Sequence, residues 1–136
     1  MNDIAQEIED EFAFLGDWEE RYRHVIELGK AMPTLAEHQK IEANKINGCV
    51  SQVWLTFQQD EAGRFSFSGD SDAHIVRGLV ALLLRLVDGK TPSEILATQA
   101  TELFANIGLS DNLSAQRANG LQAMIGRIRQ LAQAAL

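Results

Sequence analysis

A chain of 136 residues is long enough to enclose a hydrophobic core, and one domain spanning residues 1–136 is expected. Hydrophobic side chains make up 46% and charged ones 23%, an ordinary globular balance, while the net charge of −7 argues against nucleic acid, whose phosphates need concentrated Lys and Arg. No apolar stretch approaches the roughly 20 residues that span a bilayer, and Met1-Asn2-Asp3 opens without the basic residues of a secretory or transit leader, so no membrane association and a cytoplasmic location are expected.

Ile4, Ile8, Phe12 and Leu15 fall at helical spacing and predict a first helix ending near Gly16-Asp17. Asp17 is a suitable N-cap for a second, with Trp18, Tyr22, Val25, Ile26 and Gly29 on one face and Pro33 as its stop. The aromatic residues of both helices read as core. The period then changes. Val53, Leu55 and Phe57 alternate with Trp54, Thr56 and Gln58, and Phe65 and Phe67 alternate with Ser66 and Ser68 beyond an Ala62-Gly63 turn. A short strand over about Gln39 to Ile46 would complete a three-stranded antiparallel sheet. Ser71-Asp72 can cap a helix carrying Ile75, Val76, Leu79, Val80, Leu83, Leu86 and Val87, with Gly78 placed for close helix packing. Asp88-Gly89 ends it, and Thr91-Pro92-Ser93-Glu94 starts a shorter helix. After Gly108-Leu109, a long terminal helix aligns Leu121, Met124, Ile125 and Ile128. A small antiparallel sheet packed with helices is an α+β fold.

The chemistry narrows to one side chain. Cys49 is the only cysteine, so no intrachain disulfide or cysteine metal cage can form. It follows Gly48 and precedes Ser51 and Gln52, at a predicted junction between strands where a thiol can reach solvent. A free cysteine is equally at home as a small buried hydrophobe, and local sequence leaves both readings open. His24, His38 and His74 are scattered without metal-ligand spacing, so no metal site is expected. No nucleophile elbow, Walker loop or dinucleotide glycine pattern is present. Charge is uneven: residues 1–20 hold eight acidic side chains and no Lys or Arg, whereas residues 113–136 hold Arg117, Arg127 and Arg129 and no acid. Such ends are either solvated helix faces or surfaces that steer a protein partner.

Gly48-Cys49, followed by Ser51-Gln52-Val53-Trp54-Leu55, resembles the active-cysteine segment of the SufE family, whose members accept sulfur from cysteine desulfurases. The resemblance extends through Leu28-Gly29-Lys30-Ala31-Met32-Pro33, Gly69-Asp70-Ser71-Asp72-Ala73-His74, Gly89-Lys90-Thr91-Pro92-Ser93-Glu94-Ile95, Ile107-Gly108-Leu109 and Arg117-Ala118-Asn119-Gly120-Leu121, in the family's order over roughly residues 18 to 132. Val50 departs from it, since the family commonly carries glutamine there.

The resemblance implies an iron–sulfur-scaffold-like fold and a sulfur acceptor that activates a pyridoxal-phosphate cysteine desulfurase. Cys49 would carry persulfide sulfur toward iron–sulfur cluster assembly, with Gly48, Ser51, Gln52, Trp54, Asp72 and Arg117 supporting it or meeting the partner. No cofactor is implied on this chain; the pyridoxal phosphate would belong to the desulfurase. The partners implied are that desulfurase and a downstream iron–sulfur scaffold, with the chain itself a monomer or homodimer. From the residues alone, Arg117 could equally form a salt bridge to the Ser71-Asp72 helix. Two rival readings are a non-catalytic acidic interaction module with a structural cysteine, and a thiol oxidoreductase, which would lack a resolving cysteine.

Overall fold

In a computed structural model describing residues 3–48 and 51–136, two helices precede a hairpin and four follow it. Helix α1 (Ile4–Ala13) is capped by the Asp3 carboxylate, and α2 (Trp18–Ala31) by that of Asp17, which accepts the Glu20 N–H at 2.9 Å. Strands β1 (Val53–Gln59) and β2 (Phe65–Ser71) pair antiparallel, Val53 opposite Ser71 and Gln59 opposite Phe65. Then come α3 (His74–Val87), α4 (Pro92–Ala97), α5 (Ala100–Asn106) and α6 (Ala115–Ala134). Helix α3 is the central element, with Ile75, Val76, Leu79, Val80, Leu83, Leu86 and Val87 all buried among residues of α1, the hairpin, α5 and α6.

Helices α2 and α3 cross at two glycines. A Cβ on Gly78 would lie 2.0 Å from the Val25 carbonyl oxygen, and one on Gly29 would lie 2.6 Å from the Gly78 nitrogen. The two backbones touch there, which leaves no room for any side chain. The spacing that predicts Gly78 as a packing position is therefore met by a partner glycine on α2.

The expected third strand is absent. Residues Gln39 to Ile46 instead form parts of two 3-10 turns, Glu37–Gln39 and Glu42–Asn44. Only a bridge between Lys45 and Trp54, with the Ile46 N–H donating to the Val53 carbonyl at 2.8 Å, joins this segment to β1. The reason is local: the Asn44 side-chain amide donates to the Gln39 carbonyl at 2.8 Å, and such short-range bonding competes with a ladder.

The same segment alters the burial of β1. Val53, Trp54 and Leu55 are all buried in succession, because Lys40 lies over the Trp54 ring at 5.7 Å and closes the second face. Phe57, beyond the reach of this cover, is half exposed.

One other boundary differs from expectation, and one helix, α5, is additional to those expected. Ser71 and Asp72 do not cap α3: the N-cap is Ala73, without a side-chain bond, while Ser71 belongs to β2. Helix α5 is separate from α4, the chain breaking at Thr98, whose hydroxyl returns to the Glu94 carbonyl at 2.8 Å.

Candidate functional site

Cys49 and Val50 themselves lie outside the described residues, so the site is defined by what flanks them. Gly48 has φ +93°, a left-handed conformation that favours glycine. A Cβ there would approach the Ala123 side chain of α6 at 3.3 Å. On the other side, Ser51 lines a cavity of about 370 Å³ against the N-terminal half of α6. Val76, Leu79, Leu121 and Met124 form its apolar wall, and Ser114, Gln116 and Arg117 its polar rim. Both ends of the cysteine segment therefore rest on one helix.

Asp72 fixes the exit. Its carboxylate accepts the Gln52 N–H at 3.0 Å, and its own N–H donates to the Gln52 carbonyl at 3.3 Å. This pair continues the β1–β2 ladder past Val53 and Ser71, so the chain leaves the cysteine segment already in strand register. The role differs from the helix cap expected of Asp72, and it links two of the predicted residues directly.

Beneath this clamp, Asp70 is 1% exposed. One carboxylate oxygen accepts the Ser71 N–H at 2.8 Å and the Arg77 guanidinium; the other accepts the Leu35 N–H at 3.0 Å and faces Lys40 Nζ at 3.5 Å. Burial pushes its pKa upward, but the Leu35 and Ser71 N–H groups with Arg77 and Lys40 outweigh it, and the carboxyl is held below its ordinary value. Arg77 also donates to the Gly29 carbonyl at 3.0 Å and the Met32 carbonyl at 2.7 Å, which closes the end of α2. One ion pair thus ties α2, β2, α3 and the segment before the cysteine together. Read as a cap motif, Gly69-Asp70-Ser71-Asp72 offers no hint of it; the signal available is an acid within a strand whose other positions are small or apolar.

Arg117 sits in the first turn of α6, where Ser114 accepts its backbone N–H at 3.2 Å. Its guanidinium donates to the Tyr22 hydroxyl at 3.4 Å, and it makes no ion pair with Asp72 or any other described carboxylate. The expected salt bridge to the Ser71-Asp72 segment is therefore replaced by a neutral contact to α2, and the cation stays exposed at the cavity rim. Trp54 does not line this cavity; it packs under Lys40 and supports the strand.

Gly48, Ser51 and Arg117 thus converge on α6, Gln52 pairs with Asp72 beside them, and Trp54 stands apart. Among the described residues no group of three or more His, Cys, Asp and Glu side chains is arranged to hold a metal. His24 is engaged with Glu11 at 2.7 Å and edge-on to Phe12. No helix among the described residues is long and apolar enough to cross a membrane.

A family model described as SufE, Fe-S metabolism associated domain, matches residues 6–132. A SufE-like protein of Rhizobium etli is 57% identical over 130 residues, covering 93% of this chain and 88% of its own. The sulfur acceptor protein CsdE of Escherichia coli is 44% identical over 120 residues, covering 88% of this chain and 82% of its own. The solution structure of a hypothetical protein from Thermus thermophilus superposes with a TM-score of 0.77 over 97% of this chain and 95% of that one; at 19% identity, that likeness bears on the fold alone.

Proposed function

Because this chain belongs to the SufE family, we propose that it accepts sulfur from a pyridoxal-phosphate cysteine desulfurase on Cys49 and carries it as a persulfide toward iron–sulfur cluster assembly. The observation that carries the reading is the position of the one thiol in the sequence. It lies in the chain between Gly48, where a Cβ would come within 3.3 Å of the Ala123 side chain, and Ser51, which lines an apolar cavity, in a chain 44% identical to a protein named a sulfur acceptor.

The transfer needs one nucleophilic sulfur and a route to it. The Cys49 thiol loses its proton, and its thiolate attacks the outer sulfur of the donor's persulfide; a new S–S bond forms as the old one breaks, and the donor's thiolate leaves. No net oxidant is required, since the sulfane sulfur only changes its carrier. An ordinary thiol of pKa about 8.5 is roughly 3% ionised at pH 7, so a nearby cation raises the reactive fraction. Arg117, exposed and without a carboxylate partner among the described residues, fills that role or meets the donor directly. The apolar wall of Val76, Leu79, Leu121 and Met124 offers a persulfide shelter from oxidants between donor and recipient. Asp72, by pinning Gln52, fixes where β1 begins on the exit side of the cysteine.

Titration of the chain into a desulfurase assay, with sulfide release as the readout, tests this reading. Wild type should stimulate turnover saturably, and Arg117→Ala should reduce the stimulation several-fold without a change in thermal stability. A wild-type chain that leaves turnover unchanged at every concentration would overturn the proposal.

A further inference from the structure

A second hollow flanks the cysteine segment on its other side. It measures about 520 Å³ and lies between the turn Glu42–Asn44, the following Lys45-Ile46-Asn47 and the middle of α6. Ala123, on which Gly48 rests, lines it as well, and the floor at Gly126 is open: a Cβ there would meet no atom within 4 Å. Two cations project from its walls. Arg127 is exposed and has neither a hydrogen bond nor an ion pair among the described residues. Among the described residues Lys45 has Glu42 as its one ion-pair partner, at 4.0 Å, and that side chain is 89% exposed.

Neighbouring cations without a firmly held counter-ion repel one another and attract a carboxylate. Several other cations are neutralised closely, Arg85 with Glu11 at 3.0 Å, Lys40 with Asp70 at 3.5 Å and Arg64 with Glu94 at 3.5 Å, whereas Arg117 and Arg127 of α6 have no carboxylate partner among the described residues. Against a net charge of −7, which repels an acidic partner from most directions, a hollow with two cations, lined by Asn47 two positions before the cysteine, selects one orientation.

We propose that this groove receives an acidic segment of the sulfur donor, with carboxylates meeting Lys45 and Arg127, so that the donor's sulfur is brought down on the Cys49 segment between two α6 arginines. The inference rests on the sulfur-acceptor reading and adds to it the docking surface and the chemistry of the partner. Arg117 stands on the cavity at one side of the segment and Arg127 on the groove at the other. A donor that engages both is held over the thiol in one register, and the charge pairing acts chiefly on encounter and orientation rather than on the chemical step.

The experiment titrates wild type, Lys45→Glu/Arg127→Glu and Lys45→Gln/Arg127→Gln into a purified cysteine desulfurase at two salt concentrations, with circular dichroism confirming each fold. The charge reversal should raise the half-saturating concentration at least tenfold at low salt and flatten its salt dependence, with maximal turnover retained; the glutamine pair should fall between it and wild type. Arg23→Glu reverses another exposed cation, on α2, that is unpaired among the described residues, and it should leave the curve in place. Superposition of the reversed variant on wild type, or an equal shift from Arg23→Glu, would overturn the groove assignment. Wild type stimulating turnover in the same assay keeps that outcome separate from a failure of the sulfur-acceptor reading.

Discussion

Cys49→Ser is expected to fold as the parent chain does and to give no stimulation of desulfurase turnover at any concentration. Serine matches the thiol closely in size, but its hydroxyl is far less acidic and nucleophilic, so neither a thiolate nor a persulfide can form. Gln52 is held by the Asp72 carboxylate and the core elements on either side are packed by residues other than Cys49, which is why the fold should survive the change. Circular dichroism and sulfide release measured on the same preparation check both halves. Unfolding of the serine variant would instead favour a structural cysteine and the interaction-module reading. Undiminished stimulation would remove Cys49 from the mechanism.

The largest effect on stability should come from Asp70→Ala. Removing this carboxylate strands Arg77, whose side chain is 12% exposed, together with the Leu35 and Ser71 N–H groups. Breaking a buried pair at one partner costs about 3–5 kcal/mol, because the remaining charge keeps its desolvation penalty. Urea denaturation should show a correspondingly lower midpoint.

The pH dependence has a definite sign. With the folded-state pKa of Asp70 below its ordinary value of 3.8, its ionised form contributes stability above that value, and the contribution is lost as pH falls below 3.8 through the folded pKa. The gap between wild type and Asp70→Ala should therefore narrow on acidification below pH 3.8. A gap that stayed constant or widened there would contradict the ion-pair account. Because Asp70 sits beneath the Gln52–Asp72 clamp, the variant should also lose desulfurase stimulation at temperatures where it remains folded.

Periodicity exposed the helices because each must bury one stripe: Ile8 and Phe12 in α1, Val25 in α2, Leu79, Leu83 and Leu86 in α3, and Leu121, Met124 and Ile128 in α6 are all buried where their spacing places them. Alternation in Phe65 and Phe67 likewise fixed β2. The segment from Gln39 to Ile46 resisted the same treatment. Its polar side chains bond within their own turns, and what ties it to β1 is a single bridge at Lys45 that no local pattern encodes.

The site was legible to a similar degree. The sequence blocks single out the Gly48-Cys49 junction and Arg117 as candidates, but the partners of Arg117 and Asp72 could not be read from them. Asp72 bonds a backbone N–H 20 residues earlier, and Arg117 a tyrosine 95 residues earlier, so both depend on how helices and hairpin dock. The Asp70–Arg77 pair escaped notice for a related reason. Its value lies in the Gly29 and Met32 carbonyls and the Leu35 N–H that it gathers from another part of the chain.

The measurement that bears most directly on sulfur acceptance is the intact mass of the chain after incubation with a cysteine desulfurase and cysteine. A gain of about 32 mass units per sulfur, located on Cys49 by peptide mapping and removed by reductant, is the expected result, with Cys49→Ser remaining at its starting mass. An unmodified wild-type chain under conditions where the desulfurase is turning over, or the same gain on Cys49→Ser, would contradict the assignment of Cys49 as the sulfur carrier.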